Sequence, residues 1–198
     1  MKKKIAIAII VFIIIIGVYG VFHFNNKNEG TINNNENVVS ENVSSKVANI
    51  EEFITKIYSN IPEGTLPNFQ TMKVELNDLD IVTYDTGLKS VEKIEEIYKS
   101  EPMMSSQAYS LIVVKAKDAA DVQAIQEEMV NNIDPRKWIC VCAEKIYSIS
   151  KDNMVVLVMS NDEWAKPVFD SVKKELGEGK ELEKTVEENT ELPPDTVE

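Results

Sequence analysis

The chain has 198 residues, of which 43% are apolar and 27% are charged, and its net charge at pH 7 is −12. This length and composition fit one globular domain with additional terminal segments. The negative charge argues against binding of nucleic acid, because contact with phosphates needs a basic surface and the sequence has no basic stripe. Anionic lipid headgroups are disfavoured for the same reason.

A long apolar segment opens the chain. Residues 5–22 contain no charged side chain, and at about 1.5 Å per residue a helix of this length covers about 27 Å of hydrocarbon, enough to span a bilayer. Lysines occupy positions 2–4 and only Lys27 closely follows the segment, which predicts a cytoplasmic N-terminus and an extracytoplasmic remainder. We therefore predict a single-pass cell-membrane anchor over residues 1–22. A cleaved signal peptide is the competing interpretation, but Tyr19–Phe24 offers no small-x-small cleavage site.

Two segments lack the apolar periodicity of folded elements. Residues 23–45 are rich in Asn and have few large apolar side chains, so we predict a disordered tether that links the anchor to the domain. Residues 177–198 are acidic, contain two consecutive prolines and predict a disordered tail. The 131 residues between them, 46–176, are enough to bury a core and are predicted to form one extracytoplasmic domain.

The first half of this domain is predicted to alternate helix and strand. Residues 47–61 carry apolar side chains at spacings of three and four, which predicts a helix that ends before Pro62. Asp80–Tyr84 is β-prone and ends in a turn, so it predicts a strand. Residues 91–98 return to the helical spacing and predict a second helix, which ends before Pro102.

The second half is predicted to supply most of the sheet. Tyr109–Val114 is continuously apolar, which predicts a strand buried on both faces, and residues 122–129 predict a helix capped by Asp118. A last helix is predicted over residues 164–176, with Ser160 as the start of its capping box. Between these helices lie three β-type runs, Trp138–Cys142, Ile146–Ile149 and Met154–Met159.

This order of elements predicts an α+β fold, with a small central sheet, mostly antiparallel or mixed, and helices packed on it. The predicted transmembrane helix precedes it.

Two segments of the domain, Pro102–Ser110 and Ile133–Val141, resemble a family of membrane-anchored or secreted proteins from clostridial and related Firmicutes. The run Arg136–Cys140 is the most distinctive part, and the resemblance covers about residues 46–172. The domain shared by that family has no assigned function, so the resemblance implies a place at the cell envelope and no activity. The family pattern varies at Cys142, which argues against a mechanism that needs two cysteines.

The basic and apolar residues of these two segments are candidate contact sites. Arg136 and Lys137 stand beside Trp138 in an acidic domain, a combination that could hold an anionic group while the indole covers an apolar part. The alternative is that both charges are simply solvated. Met103 and Met104 adjoin small hydroxyl residues and could form an adaptable contact surface, or one of them could fill the core.

Cys140 and Cys142 alternate within a predicted strand, so both thiols would lie on one face and could form a redox pair or half of a metal site. Their Cα atoms would be about 6.5 Å apart, near the upper limit for a disulfide, and cysteine is commonly a small buried apolar residue. The single histidine, His23, lies beside the membrane segment, so a zinc site of Cys and His cannot form in the domain. We predict no metal and no cofactor.

The residue types also limit the classes of function. A Ser-His or Cys-His nucleophile would need a histidine in the domain, and Gly87, the one glycine between residues 65 and 176, cannot form a phosphate loop. The leading hypothesis is a non-enzymatic binding or protein-interaction module at the cell envelope, whose partner is an envelope protein or a small ligand. The alternatives are a carboxylate-dependent surface hydrolase, which needs a cleft with an acid of raised pKa, and a thiol-redox protein that uses Cys140 and Cys142.

Overall fold

A computed structural model describes residues 49–187, which form a six-stranded antiparallel sheet with helices on both faces. The predicted α+β fold with a central antiparallel sheet is therefore confirmed. The predicted anchor (1–22) and tether (23–45) lie outside the described residues. Within residues 49–187, every helix is too short or too polar to cross a bilayer.

The strands lie in the order β1-β2-β3-β5-β4-β6, and every neighbouring pair is antiparallel. In chain order the elements are α1 (Ile50–Ser59), β1 (Phe69–Val74), α2 (Leu79–Thr86), β2 (Ile94–Pro102), β3 (Tyr109–Ala116), a 3₁₀ turn (Ala119–Asp121), α3 (Val122–Asn132), β4 (Lys145–Lys151), β5 (Met154–Ser160), α4 (Asp162–Leu176) and β6 (Lys180–Thr185).

The sheet buries apolar side chains on both faces. Helices α2 and α3 cover one face, and α1 and α4 cover the other. The central strands β3 and β5 contribute to both cores, which confirms the prediction that Tyr109–Val114 is buried on both sides. Each fully buried Val, Leu or Ile side chain is worth about 1.5–3 kcal/mol relative to an exposed one. The two cores therefore fix the sheet from both sides.

Local capping explains where the first and last helices begin. Asn49 caps α1, because its side chain accepts a hydrogen bond of 3.0 Å from the backbone N–H of Glu52. Asn161 caps α4 in the same way, by accepting from Trp164 at 2.9 Å. Helix α1 lies within its predicted range, and α4 begins two residues before its predicted start at residue 164. The predicted capping role of Ser160 is wrong. Ser160 ends β5, and its hydroxyl donates to the carbonyl of Ala108 at 2.6 Å.

The segment from residue 79 to residue 102 reverses the predicted order of helix and strand. Asp80–Tyr84, predicted as a strand, lies in α2, because Asp78 caps that helix through a hydrogen bond of 3.2 Å from Ile81 N–H. Gly87 ends α2 at a φ of +79°, a left-handed conformation that suits glycine. Most of the predicted second helix lies in β2 instead. A cap at one end and a glycine at the other outweigh the β-propensity of the residues between them.

Trp138–Cys142 also differs from the prediction, because it forms a loop and not a strand. The N–H of Ala143 donates to the carbonyl of Pro135 at 2.9 Å, which closes this loop on itself. Cys140 has a φ of +60°, which is incompatible with an extended strand.

The ordered domain continues beyond residue 176. Lys180–Thr185, predicted as part of a disordered tail, forms β6 and pairs with β4 along its whole length. Leu182 is the one apolar side chain that packs from β6 against the core, so the sequence of β6 has too weak an apolar pattern to predict a strand. Residues 188–198 of the predicted tail lie outside the described residues. Strand β1 was not predicted either.

Candidate functional site

Two loops that the sequence singled out lie side by side at one end of the sheet. One joins β2 to β3 and contains Met103 and Met104; the other, between α3 and β4, contains Lys137 and Ile139. The N–H of Ile139 donates to the carbonyl of Ser105 at 3.2 Å. The fold therefore brings together segments that are more than thirty residues apart in the chain.

Three large apolar side chains project from these loops into solvent. Met103 is 82% exposed, Met104 is 61% exposed and Ile139 is 67% exposed. Neither methionine fills the core, which excludes that interpretation of the sequence. We call Met103, Met104 and Ile139 the two-loop surface. Large exposed apolar side chains that stand together mark contact surfaces more often than isolated ones do.

Lys137 lies beneath this surface and not on it. Its side chain is 1% exposed, and its Nζ lies 2.7 Å from Oε1 of Glu101. The same Nζ is 3.4 Å from Oγ of Ser110 and 3.5 Å from the carbonyl of Asp85. The interpretation of Lys137 as a solvated charge is therefore wrong, and its ammonium group is engaged inside the protein.

Glu101 and Lys137 belong to a buried network of two acids and two lysines. Lys99 Nζ lies 2.7 Å from Oδ1 of Asp85 and 3.7 Å from Oε2 of Glu101. Asp85 is fully buried, and its Oδ2 has no hydrogen-bond partner within residues 49–187. Because the two positive charges balance the two negative ones, the network fixes both loops without adding net charge to the surface above it.

The pKa of Glu101 reflects this arrangement. Burial alone would raise the pKa of its carboxyl group, but the charge of Lys137, hydrogen bonds from Lys137 and Ser110, and the charge of Lys99 together outweigh burial and lower it. The Ser110 hydroxyl donates to Oε1 of Glu101 at 2.8 Å. Glu101 is therefore held as the carboxylate that Lys137 needs.

Two aromatic rings enclose the Lys137 side chain. Its Nζ lies 5.6 Å from the ring centre of Tyr84 and 5.4 Å from that of Trp138, distances at which a cation interacts with a ring. The Tyr84 hydroxyl also donates to the carbonyl of Lys137 at 2.7 Å. Trp138 is half-buried against the core. Of the predicted basic and aromatic trio, Lys137 and Trp138 thus have internal contacts that hold the loop.

Arg136, by contrast, is exposed, and the structure records no ion pair for it within residues 49–187. Its backbone N–H donates to Oδ1 of Asp134 at 2.8 Å. Of the two cations in the trio, Arg136 is therefore available to solvent, whereas Lys137 is enclosed by protein.

Cys140 and Cys142 are both exposed and unpaired thiols. The prediction that they alternate on one face of a strand is wrong, and so is the alternative that they are buried apolar residues. Among residues 49–187, no group of three or more His, Cys, Asp and Glu side chains could hold a metal ion.

Comparison with protein-family models, curated proteins and solved structures gives no match. The resemblance to a clostridial envelope family stays a prediction from the sequence.

Sequence reasoning found the loops but not the residues that hold them. Glu101, Lys99 and Asp85 were missed because β2 was predicted as a helix and α2 as a strand. Lys99 and Glu101 alternate with Ser100, which in a strand places them on one face. A correct assignment of β2 would have suggested an ion pair on that face.

Proposed function

We propose that this domain is a non-enzymatic protein-interaction module at the outer face of a cell membrane, and that it binds another envelope protein through the two-loop surface. The observation that carries the proposal is the exposure of Met103, Met104 and Ile139, each more than 60% accessible to solvent. Side chains exposed to this extent add little to the stability of the domain by burial. Their burial on binding would supply the hydrophobic stabilisation instead.

The rigidity of the support also favours binding. The buried network ties Lys137 of one loop to Glu101 at the end of β2, from which the other loop starts. A surface that is already ordered loses less conformational entropy when it binds. Methionine side chains on such a support are flexible and polarisable, so they can adapt to the shape of a partner.

The membrane location rests on the sequence alone. The apolar segment of residues 5–22 and the lysines at positions 2–4 support an uncleaved anchor with a cytoplasmic N-terminus. The Asn-rich segment of residues 23–45 would then hold the domain close to the outer membrane surface.

The hydrolase alternative has less support. A general acid needs a raised pKa, whereas Glu101 and Asp170, carboxyl groups with clear shifts, both have a lowered pKa. A cavity of about 310 Å³ between α1 and β1 has Glu63 as its single carboxyl group. A second cavity, of about 230 Å³, contains Glu181 and Glu183, and each of these lies within ion-pair distance of a lysine.

The test is chemical crosslinking of the full-length protein in native membranes, followed by purification through a tag placed after residue 198. We expect an envelope protein to be recovered with the unchanged chain, and recovery to fall about tenfold or more when Met104 and Ile139 are both changed to Ser. Loss of one well-buried apolar contact costs about 1–2 kcal/mol, or about fivefold to thirtyfold in affinity, so the loss of two contacts should exceed tenfold.

Leu79→Ser is the matched control, because Leu79 is also an exposed apolar residue, 43% accessible, but begins α2 and belongs to neither of the two loops. Its recovery of the partner should equal that of the unchanged chain. Equal recovery with the Met104→Ser, Ile139→Ser variant would refute the proposed surface.

A further inference from the structure

The two edges of the sheet differ in how they are protected. Strand β6, at one edge, has charged side chains at four of its six positions: Lys180, Glu181, Glu183 and Lys184. Charged side chains on an edge strand oppose pairing with another strand. Strand β1, at the other edge, has Lys73 as its one charged residue. The β1 edge therefore lacks the protection that β6 has.

In the part of the chain that the structure describes, the outer side of β1 has no backbone partner. Within residues 49–187, the backbone hydrogen bonds of β1 are those of its ladder with β2. Along one edge of β1, alternate N–H and C=O groups are consequently available to a further strand. Met72, in the middle of β1, is 38% exposed.

A groove lies beside this free edge. Its volume is about 310 Å³, and its apolar lining includes Tyr58, Ile61, Leu66 and Phe69. Glu63 is its one acidic or basic lining residue. Phe69 and Thr71 of β1 face the groove, and because side chains alternate along a strand, Lys73 lies on the same face. The groove thus fits a side chain with an apolar stem and a positive end.

A second copy of this chain supplies such a side chain. When two copies of one strand pair around a two-fold axis perpendicular to the sheet, residues of the same face must lie opposite each other. When Thr71 of one copy lies opposite Thr71 of the other, Lys73 of each copy lies opposite Phe69 of the other copy. It also places Gln70 opposite Met72, so no like charges meet.

We propose that two copies of this chain associate by antiparallel pairing of β1, with Lys73 of each copy entering the groove of the other and its ammonium group approaching Glu63. Side chains opposite each other in such a pair have Cβ atoms about 5 Å apart, within reach of a lysine stem. Within one copy Lys73 pairs with Glu96 at 3.4 Å, and its side chain is 49% exposed. Exposed ion pairs of this kind contribute little, so exchanging Glu96 for Glu63 costs little.

The association is expected to be weak in dilute solution. Two six-residue strands and one lysine on each side bury less area than the about 1,600 Å² of a standard stable interface. Confinement of both copies to one membrane would raise their effective concentration. This dimer edge is formed by β1 and the α1–β1 loop, whereas the two-loop surface lies on the β2–β3 and α3–β4 loops, so the two proposals can fail independently.

The first experiment measures the register of the pair in the full-length protein in membranes. With Cys140 and Cys142 changed to Ser, Thr71→Cys should give a disulfide-linked dimer on mild oxidation, because Cα atoms of opposed residues lie about 4.5–5.5 Å apart. Thr185→Cys is the matched control, since Thr185 is an exposed threonine on the protected edge, and should give at least tenfold less dimer.

Three results would overturn the proposal. The first is equal crosslinking of Thr71→Cys and Thr185→Cys. The second is crosslinking of Met72→Cys without crosslinking of Thr71→Cys. The third is a Thr71→Cys product whose mass shows that the linked partner is a different protein.

A second experiment tests the charge contact. Lys73→Glu should raise the dissociation constant of the dimer about tenfold or more in sedimentation of the detergent-solubilised chain, because two acids then face each other. Adding Glu63→Lys to that variant restores opposite charges and should return the dissociation constant to within about threefold of the original value. If the doubly changed chain dimerises no better than Lys73→Glu alone, the proposed contact is wrong.

Discussion

Lys137 is enclosed by protein, although the sequence around it predicts an exposed side chain. Its ammonium group is compensated by Glu101 and lies 5.6 and 5.4 Å from the ring centres of Tyr84 and Trp138, and its side chain is 1% exposed. A buried ion pair contributes little net stability compared with an apolar pair of the same size, but removing one partner leaves an uncompensated charge. The value of this pair therefore lies in fixing where the two loops meet.

Changing Lys137 to Met should destabilise the protein by about 3 kcal/mol, because Glu101 then keeps its charge with its main partner removed. The free energy of unfolding in urea measures the effect. Arg136→Met is the control, since Arg136 is the exposed neighbour, and should change that free energy by less than about 0.5 kcal/mol. Similar losses in the two variants would show that the Lys137 pair has no special role.

The pKa of Glu101 predicts the direction in which acid acts. Its ordinary value is 4.5, and in the folded protein the nearby lysines and Ser110 outweigh burial and lower it. A carboxyl group with a lowered folded pKa contributes stability that is present above the unfolded value and is lost as the pH falls through the folded value. We therefore expect the midpoint of urea unfolding to decrease as the pH drops below 4.5. In Glu101→Gln, the midpoint should be lower at pH 7 and should decrease less as the pH drops. A Gln variant that keeps the full acid-dependent decline would rule out Glu101 as its source.

The helices and strands with a strong apolar pattern are the ones that the sequence predicts correctly. Helices α1, α3 and α4 and strands β3, β4 and β5 have long or continuous apolar patterns, and the sequence predicted all six. Helix α2 and strand β2 were exchanged because Asp80–Tyr84 has β-prone residues and residues 91–98 have helical apolar spacing. At α2, the cap at Asp78 outweighs the local propensity. Strand β6 was missed because backbone pairing with β4, a long-range contact, holds it in place.

The same distinction applies to the site. The sequence pointed to Met103, Met104 and Lys137, but not to Glu101 or Asp85. Asp85 meets Lys99 only through the packing of α2 against β2, and such a contact leaves no local signal in the sequence.

Substitution of Gly87 tests how tightly the end of α2 packs against the end of α3. Gly87 and Gly64 have similar left-handed backbones, with φ of +79° and +83°, but a Cβ atom on Gly87 would lie 2.5 Å from the backbone N of Ile133, whereas one on Gly64 would meet nothing within 4 Å. Gly64→Ala should cost about 1 kcal/mol from backbone strain alone. Gly87→Ala should cost about 3 kcal/mol or more, because overpacking against the end of α3 is added. Thermal unfolding of both variants gives the comparison, and equal losses would show that Ile133 moves aside freely.

For the whole molecule, the two exposed thiols offer a test of the predicted orientation in the membrane. A membrane-impermeant maleimide applied to intact cells should label Cys140 and Cys142, because both are exposed and the domain is predicted to be extracytoplasmic. The control is Lys2→Cys in a chain with both native cysteines changed to Ser, which should react only after the cells are permeabilised. Labelling of the native thiols only after permeabilisation would place the domain in the cytoplasm and contradict the predicted orientation.

Strand β6 follows its partner β4 in the chain, and this order has a consequence for biosynthesis. Synthesis runs from the N-terminus, so β4 and β5 are complete while Lys180–Thr185 has yet to be made. During that interval β4 has an open edge, and buried Gln126 lacks the Lys180 carbonyl to which its side chain donates at 2.9 Å. An unpaired edge beside an incomplete polar cluster is a point at which nascent chains associate wrongly. The edge of β4 therefore stays open until Lys180–Thr185 has been synthesised, and a folding factor would protect this protein most during that interval.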